Sequence, residues 1–157
     1  MERYPVTVVG EKLLRDELQR LKTKDRPQVI AAISEARSHG DLSENADYDA
    51  AKDRQGFIEG RIRELEDKVS RLQIIDPKTI NANGRVVFGA HVVLDDIAEK
   101  NEISYQIVGE DEADVKLGKI SVTSPLAKGL LGKMVGDEVE IITPKGKSRF
   151  EIVDVKY

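Results

Sequence analysis

The stretch that decides the fold is residues 48–72, YDAAKDRQGFIEGRIRELEDKVSRL. Within it Tyr48, Ala51, Gln55, Ile58, Ile62, Leu65, Val69 and Leu72 recur at alternating steps of three and four. That spacing is a heptad seam, the pattern of a helix that buries one narrow stripe against a partner helix. Glu59 with Arg63, Glu64 with Lys68 and Asp67 with Arg71 flank the seam, each acid four residues before its base. This orientation supports a helix by about 0.2–0.5 kcal/mol per pair. The partner stripe lies upstream: Leu14, Leu18 and Leu21, then Val29, Ile30 and Ile33 after a register shift near Pro27. Pro27 lacks a backbone donor, so a kink or local loosening is expected there.

Between the stripes stands Ser38-His39-Gly40-Asp41-Leu42-Ser43-Glu44-Asn45. Gly40 suits the left-handed position just past a helix end. Asp41, Ser43 and Asn45 can each cap a second helix. The reading is an antiparallel helical hairpin over residues 1–76, with its turn near 39–46. Each arm of about 27 residues would reach about 40 Å at 1.5 Å per residue.

After Asp76-Pro77 the period changes. Residues 85–88, 90–95, 103–108, 119–122, 138–143 and 149–155 read as strands, with a turn at Pro144-Lys145-Gly146-Lys147. Residues 125–131 read as one short helix with Pro125 in its first turn. The fold class is therefore α+β: a long coiled-coil hairpin (1–76), then a compact antiparallel sheet with one short helix (77–157).

The chain's 157 residues suffice for one domain or two small ones. Absence of Cys removes disulfides, thiolate metal sites and a Cys nucleophile, and two His are too few for a His-based metal cage. No apolar run approaches the roughly 20 residues of a membrane span. The segment Met1-Glu2-Arg3-Tyr4-Pro5 lacks a signal pattern, so a cytoplasmic protein with no membrane partner is expected. A net charge of -4 argues against nonspecific coating of nucleic acid.

Charge placement is the most informative feature. Residues 41–53 hold Asp41, Glu44, Asp47, Asp49 and Asp53 against Lys52 alone, a local net of -4 equal to that of the whole chain. Asp41 and Glu44 have capping-box spacing, and acids in a first helical turn complement the helix dipole. Alternatively, Asp41 and Glu44 ligate a divalent cation, since hard carboxylate oxygens suit Mg2+ or Mn2+. Two carboxylates make half a site, so this segment would hold metal well only when another molecule completes the shell.

The motif 40–48, Gly40-Asp41-Leu42-Ser43-Glu44-Asn45-Ala46-Asp47-Tyr48, followed by Ala50-Ala51-Lys52, resembles the tip of bacterial transcript cleavage factors, the Gre family. The resemblance continues through residues 55–62 and returns at 83–90, 108–114 and 120–130. It implies a hairpin with its acidic tip at 39–49 and, over 77–157, a domain of FK506-binding-protein (FKBP-like) type that docks on RNA polymerase. It also implies a function. Such factors bind bacterial RNA polymerase, enter its secondary channel and stimulate its own cleavage of backtracked RNA, without being enzymes themselves. On that resemblance Asp41 and Glu44 are the catalytic-assisting and metal residues, holding Mg2+ jointly with the polymerase and empty in the free protein.

Arg37 and Lys52 match basic positions that contact the nascent RNA 3′ end in the family, Lys52 standing where Arg is also common. They are equally readable as solvated charges, or as pairs of Arg37 with Asp41 and Lys52 with Asp49. Tyr48 fits the seam better than a base-contacting role. Thr123-Ser124-Pro125 matches the segment that faces the polymerase β′ subunit at the channel rim; some relatives carry Asp in place of Thr123. Ser124 and Pro125 also read as a capped helix start. A monomer is expected. Competing readings are a channel-blocking inhibitor, a coiled-coil adaptor and a peptidyl-prolyl isomerase or chaperone. The last is disfavoured because the second half has only Phe88, Tyr105, Phe150 and Tyr157 to line an aromatic pocket.

Overall fold

The computed structural model describes residues 2–40, 45–144 and 146–157. In chain order its elements are β1 (Tyr4–Val6), α1 (Val8–Arg20), α2 (Arg26–Ser38), α3 (Ala46–Ser70), β2 (Leu72–Ile74), β3 (His91–Asp96), β4 (Asn101–Val108), β5 (Lys119–Ser121), α4 (Pro125–Leu130), β6 (Glu138–Thr143) and β7 (Gly146–Lys156). They form two compact units, one of Met1–Glu2 with Lys12–Leu72, the other of Arg3–Glu11 with Gln73–Tyr157. The break thus falls a few residues before Asp76-Pro77, and the first strand belongs to the second unit. Among the described residues no helix is long and apolar enough to cross a membrane.

The first unit is the helical hairpin. Its seam buries Leu14, Leu21, Val29, Ile33 and Ala36 against Ala51, Ile58, Ile62 and Leu65. Ile30 is 52% exposed, because Val29 takes the seam position and the next residue lies about 100° further round. The shift near Pro27 takes the form of a π-helical turn, Leu21–Asp25, in which the Arg26 amide donates to Leu21 O. The wider turn inserts one residue ahead of the proline, so Leu21 and Val29 both reach the seam eight positions apart. Ion pairs cross between the arms. Arg61 Nε and Nη2 meet both Glu17 oxygens at 2.8 and 2.9 Å, and Arg26 grips Glu59 at 2.7 and 2.9 Å. Glu59 thus serves the opposite arm, whereas Glu64 with Lys68 (3.0 Å) and Asp67 with Arg71 (3.1 Å) pair along the helix as the spacing predicts. Glu59, by hydrogen bonding first, raises the Arg26 pKa. Lys68, again chiefly by hydrogen bonding, holds the Glu64 carboxyl below its ordinary value.

The second unit is a five-stranded sheet in the order β5-β4-β3-β7-β6. The β3–β4, β3–β7 and β6–β7 ladders are antiparallel, but β5 runs parallel to β4, with Ile107 opposite Ile120. The sheet is therefore mixed rather than antiparallel throughout. Two short 3-10 turns, Glu110–Glu112 and Val115–Leu117, carry the chain back so that β5 runs beside the last three residues of β4, Gln106–Val108. Residues 85–88 are not a strand of the sheet. Gly84 and Gly89 have φ of +90° and +86°, which turn the chain at both ends, and the segment meets 132–134 through Val86 N to Lys133 O (2.7 Å) and Gly132 N to Val86 O (2.9 Å). The core of the unit packs Ala90, Val92, Leu94, Ile107 and Ile152 under Ala127 and Leu130 of α4.

A buried carboxylate fastens residues 3–11 to this unit. Glu112 Oε2 accepts from the amides of Thr7 and Gly109, each at 3.1 Å, and Oε1 accepts from the Thr7 hydroxyl. The Thr7 hydroxyl oxygen in turn accepts from the Gly10 amide at 3.0 Å, capping α1. Tyr4 OH donates to Asp111, and Ile75 N to Val6 O at 2.9 Å.

Candidate functional site

At the hairpin end, α2 stops at Ser38. The His39 amide donates to Ala36 O (3.2 Å) and the Gly40 amide to Arg37 O (3.3 Å). Gly40 then takes φ +112°, a backbone that a side chain would strain. Asn45 is the N-cap of α3. Of the three candidate caps it is Asn45 that fills the role: its Oδ1 accepts from the Tyr48 amide at 3.1 Å. Its Nδ2 also donates across the hairpin to Ala36 O at 2.6 Å. Asp41 and Glu44, the assigned carboxylates, lie outside the described residues. Asp47 and Asp49 occupy the first turn of α3, where negative charge favours the helix.

The basic residues flank this end. The Arg37 guanidinium lies 5.9 Å from the centroid of the Tyr48 ring, within cation–π range, so the two arms meet here as well. Tyr48 is half-buried, which agrees with its seam position. Lys52 is exposed and donates to Gln55 Oε1 at 3.2 Å. Packing between the arms is thin near the tip. Ala32, Ala36, Ala50 and Ala51 fill little volume and leave a groove of about 370 Å³, with Glu35, His39, Asp47 and Arg54 around it. Among the described residues no three His, Asp or Glu are grouped so as to hold a metal ion. On either side of residues 41–44, Ala36 and Asn45 are joined by the Asn45 amide.

In the second unit, Ser124 caps α4, its Oγ accepting from the Ala127 amide at 3.2 Å, and Pro125 opens that helix. Thr123 Oγ1 lies 2.7 Å from Ser121 Oγ, and Thr123 and Pro125 are both exposed. The Ser124 hydroxyl is thus committed to the fold, while its two neighbours face solvent. A second groove, of about 390 Å³, is walled by Val8, Val9, Ile75 and Pro77, with the rings of His91 and Tyr157 among its lining. Sequence reasoning named Asn45 as one possible cap and missed its second bond. No local signal could have shown it, since the acceptor sits on the other arm.

Comparison with known proteins covers the whole chain. The family model described as transcription elongation factor, N-terminal, matches residues 4–74, and the GreA/GreB C-terminal model matches residues 81–157. Transcription elongation factor GreA of Thioalkalivibrio sulfidiphilus is 59% identical over 157 residues, covering 100% of this chain and 99% of the relative. The GreA of Ralstonia nicotianae is 55% identical over the same 157 residues, with the same coverage of 100% and 99%. Among solved structures, the GreA factor homolog 1 protein of Thermus thermophilus is 32% identical, with 99% of this chain and 100% of that one covered and a TM-score of 0.45. The chain belongs to the GreA/GreB family of transcription elongation factors.

Proposed function

We propose that this protein binds bacterial RNA polymerase in the cytoplasm, passes its hairpin tip into the secondary channel and stimulates the polymerase's intrinsic cleavage of backtracked nascent RNA. It is not itself a nuclease. The observation that carries this reading is the clasped tip, where Asn45 joins both helix ends beside a segment bearing two carboxylates. Asp41 and Glu44 would hold Mg2+ together with groups of the polymerase. When bound, the ion would supply Lewis-acid stabilisation of charge on the reacting phosphate. Half a site is enough for this purpose, because the protein raises occupancy where the partner supplies the remaining ligands and binds metal poorly alone.

Arg37 and Lys52 are the groups that would neutralise phosphates of the extruded RNA 3′ segment. The Arg37 guanidinium lies beside the Tyr48 ring near this end of the hairpin, and Lys52 keeps an exposed ammonium. Docking on the β′ subunit at the channel rim would use Thr123 and Pro125, with Ser124 holding the α4 start that presents them. The factor would act as a monomer.

The test is a stalled, backtracked polymerase complex carrying 3′-labelled RNA, incubated with Mg2+ and the full-length protein. Short 3′ fragments that require protein, polymerase and metal together are the expected result. Blocked extension without fragments would identify a channel-blocking inhibitor instead, and cutting of naked RNA by the protein alone would contradict the non-enzyme role.

A further inference from the structure

We infer that Asn83 is a site of spontaneous covalent modification, deamidation through a cyclic imide formed with the Gly84 amide, and that the Tyr157 hydroxyl holds this reaction in check. The inference lies beyond the function proposed above and does not depend on it.

The sequence singles out the position. The chain has four Asn, followed in turn by Ala46, Ala82, Gly84 and Glu102. In deamidation the backbone nitrogen of the following residue attacks the Asn side-chain carbonyl carbon. Glycine alone offers that nitrogen with no Cβ beside the path. Asn83 is the one Asn with such a neighbour, and it is exposed to the water that the reaction consumes. The Gly84 amide proton is lost to solvent base and the bond from Gly84 N to Asn83 Cγ forms. The Cγ–Nδ2 bond breaks as Nδ2 takes a proton from water and leaves as ammonia. Water then opens the ring at one of its two carbonyls. The product is Asp at position 83, or an isoaspartyl link whose main chain runs through the former side chain. No oxidant, reductant or cofactor takes part.

The fold withholds the nucleophile. Asn83 and Gly84 have φ of +51° and +90°, and Arg85 N donates to Ala82 O at 3.1 Å, which closes a turn of the I′ class. The Gly84 N–H donates to the Tyr157 hydroxyl oxygen at 3.0 Å, and the same hydroxyl donates to Arg85 O at 2.6 Å. One side chain thus grips the two residues that follow Asn83. The Tyr157 side chain packs against the core of the sheet unit, so the grip is anchored. Attack requires the Gly84 nitrogen to give up its proton and swing toward Asn83 Cγ. The bond to Tyr157 engages that proton and fixes the peptide plane, so it opposes both. An isoaspartyl link would add a methylene to the main chain inside the turn and draw Arg85 N away from Ala82 O.

The test incubates the full-length protein at mildly alkaline pH. Conversion at each Asn is followed by peptide mapping with mass detection and an isoaspartate-specific methylation assay. In urea, Asn83 should convert while Asn101 stays intact. In the native protein, conversion of Asn83 should be about 10-fold slower or more, and Tyr157→Phe should raise the native rate by about 3–10-fold, the change that one lost hydrogen bond produces. Asn101 should remain unaffected in that variant. Hydrogen exchange on the parent protein needs no variant to fold: the Gly84 amide should exchange about 10-fold more slowly than in the unfolded chain. Exchange of Gly84 at the unfolded rate would overturn the inference. So would an Asn83 that stays intact in urea, or a folded Tyr157→Phe that converts within about twofold of parent or accelerates Asn101 equally.

Discussion

Replacing Glu112 by alanine should damage the second unit more than most single changes. The carboxylate is buried and accepts three hydrogen bonds, from the Thr7 amide, the Gly109 amide and the Thr7 hydroxyl. Alanine leaves all three donors without an acceptor. A buried unsatisfied group costs about 1–3 kcal/mol, and water entering the vacated space offsets part of that, so about 3–5 kcal/mol is expected in total. Glu112→Gln provides the control. Its amide oxygen can keep the two backbone donors, and its NH2 group can donate to the Thr7 hydroxyl oxygen. What is lost is the charge assistance, which roughly doubles such bonds, and the acceptor of the Thr7 hydroxyl proton, so the cost falls to about 1–2 kcal/mol. The chain has no Trp, so urea unfolding is best followed through the amide NMR signals of Ile107 and Ile152 in the sheet core. With a slope of about 1.5 kcal/mol per molar, the alanine variant should lower the midpoint by about 2–3 M and the glutamine variant by about 1 M. Equal shifts for the two variants, or an alanine shift below about 0.5 M, would refute the role given to the carboxylate.

Gly10→Ala tests the same junction from the other side. An added Cβ would stand 2.1 Å from Glu112 Cδ, so the carboxyl must move off its donors. Ala in a helix is otherwise better than Gly by about 1 kcal/mol, so the sign decides: a loss of about 1–3 kcal/mol in urea unfolding supports the clash, and a gain contradicts it. For Glu64, whose carboxyl Lys68 holds below the usual range, the folded value is lower than the unfolded one. The pair's contribution is therefore present above the ordinary carboxylate range and disappears as pH falls through the folded value. Glu64 is half exposed, so that contribution stays below about 1 kcal/mol. Carboxyl NMR titration of Lys68→Met should move the Glu64 midpoint upward; an unmoved midpoint would remove Lys68 as the cause.

The helical hairpin was legible because its signal repeats: every member of the 48–72 seam is buried or half-buried, although Leu72 is reached in a strand rather than a helix. Where one residue carried the signal, legibility failed. Ile30 sits one step from the seam, and Glu59 chooses Arg26 on the other arm over Arg63 four residues on, because a cross-arm partner is invisible to local spacing. Strand β1 is three residues long with Pro5 at its centre, a composition that argues against a strand until Leu72–Ile74 pairs with it. The parallel placement of β5 depends on the route of 109–118, which alternation along either strand cannot encode. At the tip, the carboxylate spacing and the family motif were readable, as was the candidacy of Asn45 as a cap. Its bond to Ala36 O was not, since the acceptor is a main-chain atom common to every residue type.

The central claim is that Asp41 and Glu44 act inside the polymerase rather than on their own helix. The most direct measurement compares 3′-fragment release from a backtracked complex with the parent protein, Asp41→Ala and Glu44→Ala, alongside polymerase affinity for each. The account predicts that both variants bind as parent does and release few or no fragments. Cleavage by both variants at the parental rate would contradict it.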